Sequence, residues 1–137
     1  MGVLSRLAST INEMTYRLDL LSTRGLEDWV EELAALHALQ LQAQALLDIV
    51  LHLAAELGYA PESPREAAKA LLGEGLLTRE DYNFVGKVSG FRNVLVHAYA
   101  EVDMSVVRGI LEAREYRRVA LLASKLLEKA SERGLDP

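Results

Sequence analysis

At 137 residues the chain has the length of about one domain and can bury a hydrophobic core without metal or disulfide support. Half of its residues are hydrophobic but only 6% are aromatic, a Leu- and Ala-rich mixture that favours packed helices over sheets; with no Cys, disulfides, thiolate metal sites and a Cys nucleophile are excluded. The formal net charge of -5 opposes non-specific binding to long nucleic acid, so any nucleic-acid role needs a local basic patch.

The first segment lacks the unbroken apolar core of a signal peptide. No stretch reads as the roughly 18–20 apolar residues that a membrane span needs, and a cytoplasmic protein is expected. Leu4, Leu7, Ile11, Met14, Leu18 and Leu21 recur at spacings of three and four, which predicts a helix over 3–22 that breaks near Thr23-Arg24-Gly25. A second, long helical run opens at Leu26 and ends at Gly58 with Pro61 beyond it, a stop signal in the expected order. Trp29, Val30 and Leu33 in its first turns are expected in the core or at an interface.

Ser63-Pro64-Arg65-Glu66 reads as a capping box that opens a short helix to about Leu72. Thr78 with Glu80 and Asp81 caps a fourth helix running toward Val96. Asp103 caps a fifth, with apolar residues Val106, Val107, Ile110, Tyr116, Val119, Leu122, Ala123 and Leu126, and Gly134 ends it. There is no strand-like alternation, repeat or linker, and the heptad pattern is not sustained as a coiled coil requires. The expected fold is all-α: a single domain over 1–137, an antiparallel bundle of four longer helices plus a short one.

Chemistry concentrates in Gly90-Phe91-Arg92-Asn93-Val94-Leu95-Val96-His97-Ala98-Tyr99. Polar groups set among Val94, Leu95 and Val96 must find partners or a functional pocket. Asn93 and His97 share a helical face, whereas Arg92 and His97 stand about 140° apart on an ideal helix. Either the last turn loosens near His97, or a two-fold axis joins an Arg from one chain to a His from another. On spacing alone, the pair also suits a surface cation and a C-terminal dipole partner. As catalysts they suit phosphodiester cleavage: His exchanges protons near neutral pH, and Arg offers phosphate a permanent fork of donors. With RNA the 2′-hydroxyl is a built-in nucleophile, and Asn93 is placed to hold imidazole or phosphate.

Asp48, an acid among Leu46, Leu47, Ile49 and Val50, is expected to pair with Arg92 or another cation, or to stay solvated. Arg114, Arg117, Arg118, Lys125 and Lys129 form either a solvated face or the basic lining of a cleft. His37 and His52 lack ligand spacing, so no metal site is expected. No Gly-rich phosphate loop or paired-carboxylate constellation is present, so the chain should not bind ATP by itself.

The Gly90–Tyr99 stretch resembles the signature of the HEPN superfamily, Arg, four to six residues, then His. More narrowly it resembles the HepT-like toxins, in which Arg, four residues, His, one residue and Tyr follow in order; Arg92, His97 and Tyr99 match that form, and Asn93 is usual after the Arg. Leu39–Gln42 with Asp48–His52, Ser63–Glu66, Gly75–Leu77 and Tyr99–Val107 resemble the family's other segments across nearly the whole chain. The resemblance implies a metal-independent endoribonuclease without cofactor. It implies a homodimer with Arg92 and His97 catalytic in an interface cleft; by their own positions Asn93 and Asp48 are the expected supporting residues, and the dimer could join a larger hetero-oligomer. It implies an MNT-type nucleotidyltransferase antitoxin as partner, and Tyr99 as the residue that partner would modify with AMP. The alternative is a HEPN module that binds its partner or a nucleotide without catalysis.

Overall fold

The computed structural model describes residues 2–97 and 101–135, and among them the structure is six helices without strands. They are α1 (Val3–Arg24), α2 (Trp29–Glu56), α3 (Pro64–Gly73), α4 (Arg79–His97), α5 (Met104–Ala113) and α6 (Arg117–Glu132). The starts follow the capping chemistry. Ser63 Oγ accepts from the Glu66 amide at 3.1 Å, and Glu66 reaches back to the Glu62 amide at 3.3 Å. Thr78 Oγ1 accepts from the Asp81 amide, and Asp103 Oδ1 from the Ser105 amide. α1 stops at Gly25, whose φ of 82° lies where a side chain would be strained. α2 starts at Trp29 rather than Leu26, because Asp28 supplies its cap by accepting from the Glu31 amide at 2.9 Å.

The expected fifth helix is two helices. Arg114 is left-handed (φ 55°, ψ 37°), and the Glu115 amide closes the turn on Ile110 O at 3.0 Å. The chain then restarts as α6. Tyr116, buried between them, donates its hydroxyl to Asp19 on α1, and Arg117 Nε donates to the same oxygen at 2.9 Å. Hydrogen bonding from Arg117, opposed by burial and aided by Tyr116, holds the Asp19 carboxyl below the usual carboxylate range. Burial and Asp19 together push the Tyr116 phenol up.

Packing follows from α2, which touches all five other helices. By length and composition α2 is apolar enough to cross a membrane, contrary to the expectation from sequence, but 61% of its most apolar window is buried in the fold. Its C-terminal half, with Leu46, Ile49, Val50 and Leu53, packs with Leu4 and Ile11 of α1, Leu71 of α3, Val85 of α4 and Leu126 of α6. Its N-terminal half, with Ala35, Leu36 and Leu39, packs with Leu18 of α1, Leu95 of α4, and Val107, Leu111 and Tyr116. The start of α1 thus meets the end of α2, and the end of α4 meets the start of α2, as in an antiparallel bundle. Gln42 sits where the two cores join, its Nε2 donating to Tyr116 O at 3.0 Å and Thr15 Oγ1 at 2.9 Å. Trp29, Val30 and Leu33 are not core residues: they are 69%, 55% and 42% exposed.

Candidate active site

α4 presents two faces to different surroundings. Val85, Val88, Ser89 and Leu95 are its buried residues, and at about 100° per residue Arg92 falls inside the arc they define. Arg92 is accordingly half-buried, and its Nε is enclosed with no hydrogen-bond partner. Burying such a donor without an acceptor costs on the order of 1–3 kcal/mol. Asn93 and His97 lie on another side of α4, and both are exposed.

α4 remains an α-helix through His97, so the turn containing His97 is not loosened. The two side chains therefore keep the roughly 140° separation of a regular helix and do not converge within one chain. Asn93 and His97 share a face, as their spacing predicts. Tyr99 lies outside the described residues.

Asp48 is half-buried and accepts from Gln44 Nε2 at 2.8 Å. Of the expectations for Asp48, pairing with Arg92 or another cation is not met among the described residues; the half-buried carboxylate bonds a neighbour one turn away on α2. The cations of the last two helices follow the solvated-face expectation in part: Arg117 and Arg118 are exposed, and Arg114, Lys125 and Lys129 are half-buried. Arg117 bonds Asp19, and Arg114 lies 3.8 Å from it. Arg118 lies over the Phe84 ring at 4.4 Å, a cation–π distance. Lys125 Nζ meets Asp81 at 2.6 Å, and Lys129 Nζ meets Gly75 O at 3.4 Å. Burial works to raise the Asp81 pKa, but hydrogen bonds from Lys125 and Thr78 overcome it and hold the carboxyl below its usual range. These cations join the last helices to α1, to α4 and to the loop between α3 and α4.

One residue was missed from sequence. Arg65, in the first turn of α3, lays its guanidinium on α4, Nη2 donating to Gly86 O at 3.2 Å. A Cβ on Gly86 would stand 3.8 Å from Nη1, and one on Gly90 3.9 Å from Nη2. The available signal was a pair of glycines four apart inside a helix, each costing about 1 kcal/mol against Ala. No group of three or more His, Asp or Glu clusters as a metal site among the described residues.

The comparisons with known proteins give a family and a fold. A family model described as ribonuclease HepT-like matches residues 4–126. A protein of Archaeoglobus fulgidus whose name proposes an RNase is 25% identical over 113 residues, covering 82% of this chain and 86% of that one. Among solved structures, a tri-AMPylated Shewanella oneidensis HEPN toxin in complex with MNT antitoxin aligns with a TM-score of 0.77 at 20% identity, over 90% of this chain and 98% of that one. A toxin–antitoxin crystallised with AMP-PNP aligns with a TM-score of 0.78 at 19% identity, over 90% and 98%. The cytosolic protein YutE of Bacillus subtilis aligns with a TM-score of 0.73 at 19% identity, over 100% and 97%. At these identities the structural likenesses establish the fold.

Proposed function

Because the chain belongs to the HepT-like ribonuclease family, we propose that it is a cytoplasmic, metal-independent endoribonuclease toxin, active as a homodimer that unites Arg92 of one protomer with His97 of the other. The observation that carries this reading is the buried, unpartnered Nε of Arg92 on a helix that stays regular to His97. A lone chain separates the pair; a second copy related by a two-fold axis supplies the missing half.

In the cleft, the His97 imidazole takes the proton of the RNA 2′-hydroxyl. The freed 2′-oxygen attacks the adjacent phosphorus, the bond from phosphorus to the 5′-oxygen breaks, and that oxygen leaves protonated. The products are a 2′,3′-cyclic phosphate and a 5′-hydroxyl. Arg92 holds the phosphoryl oxygens as charge builds, a type of contact worth on the order of 100-fold or more in rate. Asn93, beside His97, orients the imidazole or the phosphate. Asp48, held by Gln44 on α2, is assigned a supporting role.

The toxin–antitoxin complexes among the structural relatives support an MNT-type nucleotidyltransferase as the partner. In this reading the partner silences the chain at Tyr99: the phenolic oxygen attacks the α-phosphorus of ATP, AMP is transferred and pyrophosphate leaves. The exposed Trp29, Val30 and Leu33 then serve protein–protein contact.

The test is RNA cleavage in the presence of a chelator. The unaltered protein should cut; Arg92→Ala and His97→Ala should each lose at least about 100-fold; and mixing the two variants should restore part of the activity through mixed dimers. Cleavage indifferent to both substitutions would sink the catalytic assignment. No cleavage by the unaltered protein would favour the non-catalytic binding module. Mass spectrometry after co-expression with the partner should find an AMP adduct on Tyr99, and its absence would reject that mode of silencing.

A further inference from the structure

The face of α4 that ends at Asn93 and His97 continues toward the helix start beyond the site named so far. Arg79, Asn83, Gly86, Gly90, Asn93 and His97 follow one another at spacings of four, three, four, three and four, so they form one continuous stripe along the helix. The stripe contains no acid and no bulky apolar side chain, in a protein with 20 acidic and 15 basic residues. His97 stands at one end, and Arg65 of α3 lies across the middle.

Arg65 differs from most arginines of the chain. Arg17, Arg24, Arg108 and Arg133 pair with Glu13, Glu31, Glu32 and Glu74; Arg114, Arg117 and Arg118 are engaged as described above. Arg65 is exposed, and its hydrogen bond goes to the neutral carbonyl of Gly86. That bond uses one donor of five, and among the described residues no carboxylate pairs with the charge. Beside it opens a cleft of about 90 Å³ lined by Arg65, Ala68, Tyr82, Asn83 and Gly86. The bare backbone at positions 86 and 90 lets the guanidinium rest against the helix, where a Cβ at either position would stand at ordinary van der Waals distance from it.

A planar, permanently charged fork held in place without a carboxylate suits a phosphodiester oxygen. Along the axis, Gly90 and Gly86 lie about 10 and 16 Å from His97 at 1.5 Å per residue. This is too far for Arg65 to touch the phosphate being cleaved at His97 of its own chain.

We propose that the α4 stripe from Arg79 to His97 is the track for the RNA backbone, and that Arg65 binds a phosphate flanking the scissile one. This rests on the ribonuclease reading for its ligand, but it concerns binding rather than the chemical step. Arg65 is therefore a substrate-positioning residue: it should act on affinity and on KM, not on the rate of bond breaking.

The test measures binding of a fully 2′-O-methylated oligoribonucleotide, which lacks the nucleophile, by fluorescence anisotropy over a range of salt. Arg65→Gln should weaken binding about 5- to 10-fold and lower the slope of log affinity against log salt by about one. Arg65→Lys should recover part of both, Arg79→Gln should show a smaller loss, and Arg133→Gln, whose charge already faces Glu74, should change neither. With cleavable RNA, Arg65→Gln should raise KM by a similar factor at nearly constant kcat. Unchanged affinity and slope in Arg65→Gln would overturn the proposal, as would failure of the unaltered protein to bind the oligonucleotide at low salt. Should Arg65→Gln melt early, single methylphosphonate linkages are walked along the oligonucleotide instead. One neutral linkage away from the scissile bond should weaken binding to the unaltered protein by the same factor, and absence of any such position rejects the track. Binding that depends on Arg65 without any cleavage would uphold the track and reject the ribonuclease reading; cleavage indifferent to Arg65 would do the reverse.

Discussion

The two halves of the bundle, divided along α2, are built to different degrees of closure. The half around Leu46, Ile49, Val50 and Leu53 draws on α1, α2, α3, α4 and α6 and is the larger core. The half around Leu36, Leu39, Leu95 and Tyr116 is smaller, and it carries Arg92 at its edge. Among the described residues, the large apolar side chains left exposed are Tyr16, Leu20, Trp29, Val30, Leu33, Val94, Val96 and Val106, with Tyr59 and Leu121 elsewhere. Nearly all of them belong to the helix segments of the smaller half. One half is closed, while the other keeps exposed apolar side chains and an enclosed guanidinium Nε without a partner, which fits the proposed dimer.

That contrast can be broken by measurement, beginning with the largest effect. Leu46→Ala, in the closed half and fully buried, should cost about 3 kcal/mol or more in denaturant unfolding; a loss below about 1 kcal/mol would mean that this half is not the tight one. Gln42→Ala removes the donor that bonds Tyr116 O and Thr15 Oγ1 and leaves a cavity at the junction. It should cost about 2 kcal/mol, and a neutral outcome would separate the two halves energetically.

Asp19→Asn should give a smaller, pH-dependent change. The folded Asp19 pKa is depressed, so its contribution is present above the ordinary carboxylate value near 4 and is lost as pH falls through the lower folded value. The variant should therefore be less stable at neutral pH and should lose less stability on acidification. An unchanged acid limb would refute the assignment. The smallest effect on the monomer belongs to Trp29→Ser, within about 0.5 kcal/mol. Sedimentation of the same variant should nevertheless show weaker self-association; if dimerisation were untouched, Trp29 would lie outside the contact.

Much of this was legible in the residue pattern, because capping and periodicity are local. Ser63 with Glu66, Thr78 and Asp103 each marked a helix start that the structure reproduces. The break at Arg114 was not read, since no Gly or Pro punctuates it; its trace is the step of five from buried Leu111 to buried Tyr116, which jumps phase on a continuous helix. The site was partly legible. The separation of Arg92 from His97 follows from helix geometry alone, but the inward direction of Arg92 depends on where α2 packs. Asp48 was left between an ion pair and solvent, because an apolar sequence neighbourhood does not reveal that Gln44, one turn earlier, is its partner. Arg65 was missed because its relation to Gly86 spans 21 residues, beyond any local rule.

The 28-residue α2 has a consequence for how the molecule melts. Both cores hang on this one helix, so neither half can unravel without stripping apolar area from the other. Unfolding should be a single cooperative transition, with calorimetric and van't Hoff enthalpies in agreement. A lesion far from Arg92, deep in the closed half, would then lower the population of competent molecules without altering the reaction they perform.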